Sequence, residues 1–162
     1  MENGKKAGLS SALLDRLSLS EDRVRSMAEG VNQIAAMDDP VGRTLSGATR
    51  PNGLRIQKVS VPLGVIAVIY EARPNVSSDA AALCLKAGNA VILRGGKEAI
   101  YSNKAIVEVM RDALENAGLP KDCIQLVEDT SRKSANALMK LNEYVDVLIP
   151  RGGAGLINAV ME

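Results

Sequence analysis

The chain has 162 residues, a formal net charge of +1, 46% hydrophobic and 24% charged residues, which is the balance of a globular protein able to bury one core. With near-neutral charge, three Tyr and no Phe or Trp, it offers neither the basic field nor the stacking rings of a nucleic-acid binder. No apolar run reaches membrane-spanning length, and the absence of His excludes serine–histidine–carboxylate and zinc chemistry within the chain.

Ser20 before Glu21 and Asp22 predicts a capped helix start, and Val24, Met27, Ala28, Val31, Ile34 and Ala35 give that helix one apolar face. Asp38-Asp39-Pro40 ends it. The polar, glycine-rich stretch 42–53 reads as a loop or an exposed hairpin tip. Residues 54–61 extend as a strand, and 63–70 as a buried one. Ser77, Ser78 and Asp79 open a helix to Lys86, with Gly88 as its stop. A strand at 90–93 follows, then a helix over 102–116 closed by Gly118 and Pro120. A strand at 123–127, a helix at 131–141, a strand at 145–149 and a helix from 155 complete the chain. Strand alternating with helix predicts right-handed βαβ units, so the fold class is α/β, a Rossmann-like parallel sheet preceded by helices. Two segments are expected: 1–53, helical with a loop, and 54–162, the Rossmann-like domain.

Two strands run into the same tripeptide, Arg94-Gly95-Gly96 and Arg151-Gly152-Gly153. Glycines let the backbone turn and approach a ligand, and open α/β sheets bind ligands at the carboxyl ends of their strands. Two such exits point to one anion-binding crevice for phosphate or nucleotide; tight turns alone are the plain alternative. The first buried strand exits not into G-x-G-x-x-G but into Glu71-Ala72-Arg73-Pro74-Asn75, and Arg94-Gly95-Gly96-Lys97-Glu98 lacks the spacing of a P-loop. Cys84 and Cys123 have neither metal nor disulfide spacing, and among apolar neighbours they read as inert small hydrophobes. The N-terminus has no signal-peptide character, so a reducing cytoplasm is the expected compartment.

Several motifs together, Val61-Pro62-Leu63-Gly64-Val65-Ile66, Tyr70-Glu71-Ala72-Arg73-Pro74-Asn75-Val76, Gly88-Asn89-Ala90-Val91-Ile92-Leu93-Arg94-Gly95-Gly96 and Val147-Leu148-Ile149-Pro150-Arg151-Gly152-Gly153-Ala154-Gly155-Leu156, closely resemble the γ-glutamyl phosphate reductase family of the aldehyde dehydrogenase superfamily. The resemblance implies NADPH-dependent reduction of L-glutamyl 5-phosphate to L-glutamate 5-semialdehyde and phosphate, in proline biosynthesis. In that chemistry a cysteine thiolate displaces phosphate and hydride then releases the aldehyde. Asn75 matches the superfamily's oxyanion-hole asparagine; reading it from the residues alone, it would instead cap the helix that follows. Arg94, Gly95, Gly96 and Lys97 match the adenosine side of an NADPH/NADP site, where Arg94 or Lys97 meets the 2′-phosphate; Lys97 also reads as a solvated loop charge. Gly152 and Gly153 match the turn presented to the pyrophosphate. Arg73 and Arg151 are candidates for the acyl phosphate or the substrate carboxylate. No metal site is expected.

The family's nucleophilic cysteine lies downstream of the motif at 151–156, so the chain is expected to be a fragment carrying a truncated NADP-binding domain, inactive alone. A glutamate 5-kinase partner and homo-oligomerisation of the full-length protein are also implied; nucleic acid and membrane are not. A non-catalytic dinucleotide- or phosphate-binding module, or an assembly fragment, is the alternative.

Overall fold

The structure is a computed structural model and describes residues 10–161. Among the described residues, helices α1 (Ser11–Leu17) and α2 (Glu21–Ala36) come first. Ser20 caps α2 as its sequence predicts: its Oγ accepts the Arg23 N–H at 3.3 Å, and Glu21 and Asp22 occupy the first turn. Arg23 fixes the joint between the two helices. Its guanidinium donates to the Asp15 and Ser18 carbonyls and pairs with the Asp15 carboxylate at 2.9 Å.

The 42–53 stretch is more ordered than a loop. Strand β1 (Thr44–Thr49) pairs antiparallel with β2 (Arg55–Val59) in a hairpin exposed at every position and running across residue 53. Its turn uses Gly53 at φ +83°, a conformation costly for a residue with a Cβ. β1 carries no alternation of apolar and polar residues because neither of its faces is buried, which is why periodicity does not reveal it.

From Val65 the chain builds the βαβ units its pattern predicts. Strands β3 (Val65–Tyr70), β4 (Ala90–Arg94), β5 (Ile124–Leu126) and β6 (Val147–Arg151) form one parallel sheet in the order β5-β4-β3-β6. Side-chain alternation divides the core in two. On one face Ile66, Val68, Tyr70, Val91 and Leu93 pack under α3 (Asn75–Lys86) and α4 (Ile100–Asn116), meeting Val76, Ala81, Val107 and Leu114. On the other, Ala67 and Ile69 pack under Leu138 of α5 (Arg132–Met139), with Leu156 of α6 (Ala154–Met161) at the margin. The N-terminal helices join the first layer through α2, where the Lys86 ammonium donates to the Ala35 carbonyl at 2.8 Å.

Asn89 fastens the start of the sheet. Its N–H reaches the Cys84 carbonyl at 2.8 Å across the left-handed Gly88, and its Oδ1 accepts the Leu63 and Gly64 N–H groups. Two helices start earlier than sequence signals place them. α3 begins at Asn75 rather than Ser77, directly after Pro74, and α4 begins at Ile100 behind a 3₁₀ turn over Lys97–Ala99.

The strand order decides where a ligand can sit. β3→β4→β5 moves one way across the sheet, and the next crossover brings β6 to the opposite side of β3. The switch point therefore lies between the carboxyl ends of β3 and β6.

Candidate functional site

A crevice of about 560 Å³ opens at that switch point. Both Arg-Gly-Gly exits reach it: Arg94 and Gly96 line it from β4, Arg151 and Gly152 from β6, and Arg73 from the β3 exit. Arg16 of α1 adds a guanidinium, to which the sequence assigns no site role although Leu14-Asp15-Arg16-Leu17 is part of the family resemblance. Among the described residues, Arg16, Arg73 and Arg151 have no ion-pair partner. With Arg94 these cations outnumber the two carboxylates on the same wall, Glu71 and Glu98, and leave a net positive concave site suited to a multiply charged anion.

Arg94 is differently employed. One terminal nitrogen donates to the Thr130 and Ser131 carbonyls at 2.8 and 2.9 Å, tying β4 to the N-terminus of α5. Its Nε is buried with no hydrogen-bond partner among the described residues. Beside it, the Asp129 carboxyl is held below the usual carboxylate range because it accepts the Ser131 N–H and hydroxyl, with help from the Arg94 charge. Lys97 is exposed in the 3₁₀ turn and is not part of the crevice wall.

The glycines have distinct reasons to be glycine. A Cβ on Gly95 would stand 2.1 Å from Asn103 Nδ2 and 3.0 Å from the Tyr70 ring, so this residue is buried packing rather than crevice wall. Tyr70, Ser77 and Asn103 form a buried relay: Tyr70 OH and Ser77 Oγ lie 2.6 Å apart, and the Ser77 hydroxyl donates to Asn103 Oδ1 at 3.1 Å. Burial pushes the Tyr70 hydroxyl up to about 12, partly offset by the Ser77 hydrogen bond. A Cβ on Gly152 would meet Glu71 Oε1 at 2.8 Å.

That contact brings in a residue the sequence reading did not single out. A Glu71 carboxylate oxygen accepts the Gly153 N–H at 3.1 Å, at the amino end of α6. The register explains it, since Tyr70 pairs with Arg151 and the next residue of each strand is then side by side. Glu71 thus places its own anion on the turn that sequence reasoning reserves for a pyrophosphate.

Asn75 faces elsewhere. It lines a second crevice of about 490 Å³, walled by α1, α2 and the start of α3, and Arg16 and Arg73 line both crevices. Its side chain does not cap α3: Pro74 occupies the cap position, and Asn75 Nδ2 donates to Asp79 Oδ2 at 3.1 Å. Cys84 and Cys123 line neither crevice; Cys84 is buried on α3, and burial pushes its thiol up.

Comparison with known proteins now adds to the geometry. The aldehyde dehydrogenase family model matches residues 15–162, nearly the whole chain. The chain belongs to the aldehyde dehydrogenase family. Among curated members it is 60% identical over 162 residues to the γ-glutamyl phosphate reductase of Clostridium botulinum and 58% identical to that of Anoxybacillus flavithermus. Each match covers 100% of this chain and 39% of the relative, so the chain spans about two-fifths of their length. The crystal structure of γ-glutamyl phosphate reductase from Thermotoga maritima superposes with a TM-score of 0.96 at 41% identity, over 99% of this chain and 39% of that one. The resemblance carried by the sequence motifs is thereby borne out, as is the α/β, Rossmann-like aldehyde dehydrogenase fold.

Proposed function

We propose that this chain is the cofactor-binding part of a γ-glutamyl phosphate reductase, acting in NADPH-dependent conversion of L-glutamyl 5-phosphate to L-glutamate 5-semialdehyde and phosphate. The observation that carries the reading is the meeting of Tyr70-Glu71-Ala72-Arg73 with both Arg-Gly-Gly exits around the switch-point crevice, while Pro74 and Asn75 continue the same turn into the neighbouring crevice. A dinucleotide fits the donors there: the Arg94 guanidinium, whose buried Nε has no hydrogen-bond partner among the described residues, and strand exits at Gly96 and Gly152 that bring bare backbone to the wall. When bound, NADPH supplies hydride to an acyl group.

The chain's own residues bind and orient. Arg94 and Gly96, which line the crevice, serve the adenosine side and the 2′-phosphate, with Gly95 packed behind them and Lys97 on the solvent side of the same exit, while the Gly152 and Gly153 amides serve the pyrophosphate once Glu71 yields the Gly153 N–H. Arg73 and Arg151 neutralise the departing phosphate. Asn75, held by Asp79, offers its amide to the developing oxyanion, a contact worth about 3–4 kcal/mol in comparable sites.

The same reading makes this chain non-catalytic alone, because neither Cys84 nor Cys123 lines a crevice and Cys84 resists ionisation. The wider setting is also proposed: a cytoplasmic enzyme supplied with its unstable acyl phosphate by glutamate 5-kinase, and a full-length homo-oligomer. The exposed hairpin supports assembly, since Leu45, Leu54 and Ile56 are open to solvent. Fluorescence titration of NADPH, run beside a turnover assay with L-glutamyl 5-phosphate, tests the reading. Saturable binding without turnover is expected; turnover abolished by Cys84→Ala or Cys123→Ala would contradict it.

A further inference from the structure

The second crevice holds a charge pattern that the cofactor does not use. Of its ionic residues, Asp15 and Arg23 neutralise each other at 2.9 Å. What remains is Arg16 and Arg73, both without an ion-pair partner among the described residues, and Asp79, whose Oδ2 holds the Asn75 amide at 3.1 Å. Asp79 Oδ1 has no hydrogen-bond partner among the described residues and faces α2 at Gly30, where a Cβ would come only to 4.0 Å. A free carboxylate oxygen and two free guanidiniums thus share one concavity of about 490 Å³. A simple anion leaves the carboxylate unmatched, and a simple cation leaves two guanidiniums unmatched. A zwitterion with an extra negative end satisfies all three.

We propose that this crevice is the recognition site for the amino-acid end of a phosphorylated α-amino acid. Asp79 Oδ1 takes the α-ammonium, Arg16 takes the α-carboxylate, and Arg73, on the wall common to both crevices, takes the phosphoryl end. This assignment rests on the reductase reading above and extends it to Arg16 and Asp79. It also gives Asp79 a positioning role, because one carboxylate would hold both the substrate's ammonium and the Asn75 amide. The substrate carbonyl is then set in register with its proposed donor.

Calorimetric titration of the whole chain with a hydrolysis-proof probe, L-2-amino-5-phosphonopentanoate, and with its desamino counterpart tests the assignment. The amino form is expected to bind more tightly than the desamino form. The isosteric Asp79→Asn should weaken the amino form about five- to tenfold and leave the desamino form unchanged, whereas Arg16→Gln should weaken both. Equal loss of both probes in Asp79→Asn, no loss, or no saturable binding by the unaltered chain overturns the proposal. NADPH titration of the same samples separates the two readings. Intact NADPH binding without phosphonate discrimination removes the amino-acid site and leaves the cofactor crevice standing. Discrimination without NADPH binding upholds the amino-acid site and removes the cofactor assignment.

Discussion

Glu71 is the residue whose position most constrains the proposed cofactor site. Its carboxylate gains from the partial positive charge at the start of α6, an interaction typically worth about 0.3–1 kcal/mol. In the proposed site a pyrophosphate has to displace it, so Glu71→Ala should tighten NADPH binding by a few-fold in a fluorescence titration; weaker binding would show that Glu71 assists instead. Tyr70 makes a second residue-level test. Its folded value of about 12 exceeds its ordinary 10.0, so the buried phenol adds full stability below pH 10, and that stability is lost as pH rises through 12. Urea unfolding should show a loss of about 2–3 kcal/mol across that window, absent in Tyr70→Phe. Both arginine–glycine exits are legible in the sequence because glycine and charge at a strand end announce themselves. Glu71, Arg16 and Asp79 are not, because their significance comes from register and helix placement rather than from any local pattern.

At the scale of elements, the buried strands and their helices are readable because apolar runs and glycine stops are local signals. The hairpin is only half readable, since an exposed strand such as β1 carries no burial pattern. The start of α3 is hidden for another reason: Pro74 begins it with no side-chain cap, so the Ser77-Ser78-Asp79 cluster misleads. The β4–α4 junction depends on Gly95. Gly95→Ala forces a methyl against Asn103 and Tyr70, and should cost about 1–3 kcal/mol of unfolding free energy. Adding Asn103→Ala should recover part of that loss; an additive double variant would contradict the contact as the cause.

For the molecule as a whole, strand alternation was enough to anticipate a parallel Rossmann-like sheet, because that topology is nearly forced by right-handed crossovers. The position of β6 beside β3, which creates the switch point, has no sequence signal of its own. Among the described residues β5 and β6 are the sheet's edges, and Ile149 on β6 is 43% exposed. Unpaired edges and exposed apolar side chains on the hairpin, Leu45, Leu54 and Ile56, favour association. Light scattering behind size exclusion should find a mass that rises with concentration, and Ile56→Lys with Leu45→Lys should lower it; a monomer at all concentrations would contradict this.

The central claim is that the β3–β6 switch point takes the dinucleotide. Amide NMR of the ¹⁵N-labelled chain during NADPH addition tests it most directly. Saturable shifts are expected at Gly96, Gly152 and Gly153, with the exposed hairpin unmoved. Absence of shifts, or shifts confined to residues away from the carboxyl ends of β3, β4 and β6, would contradict the account.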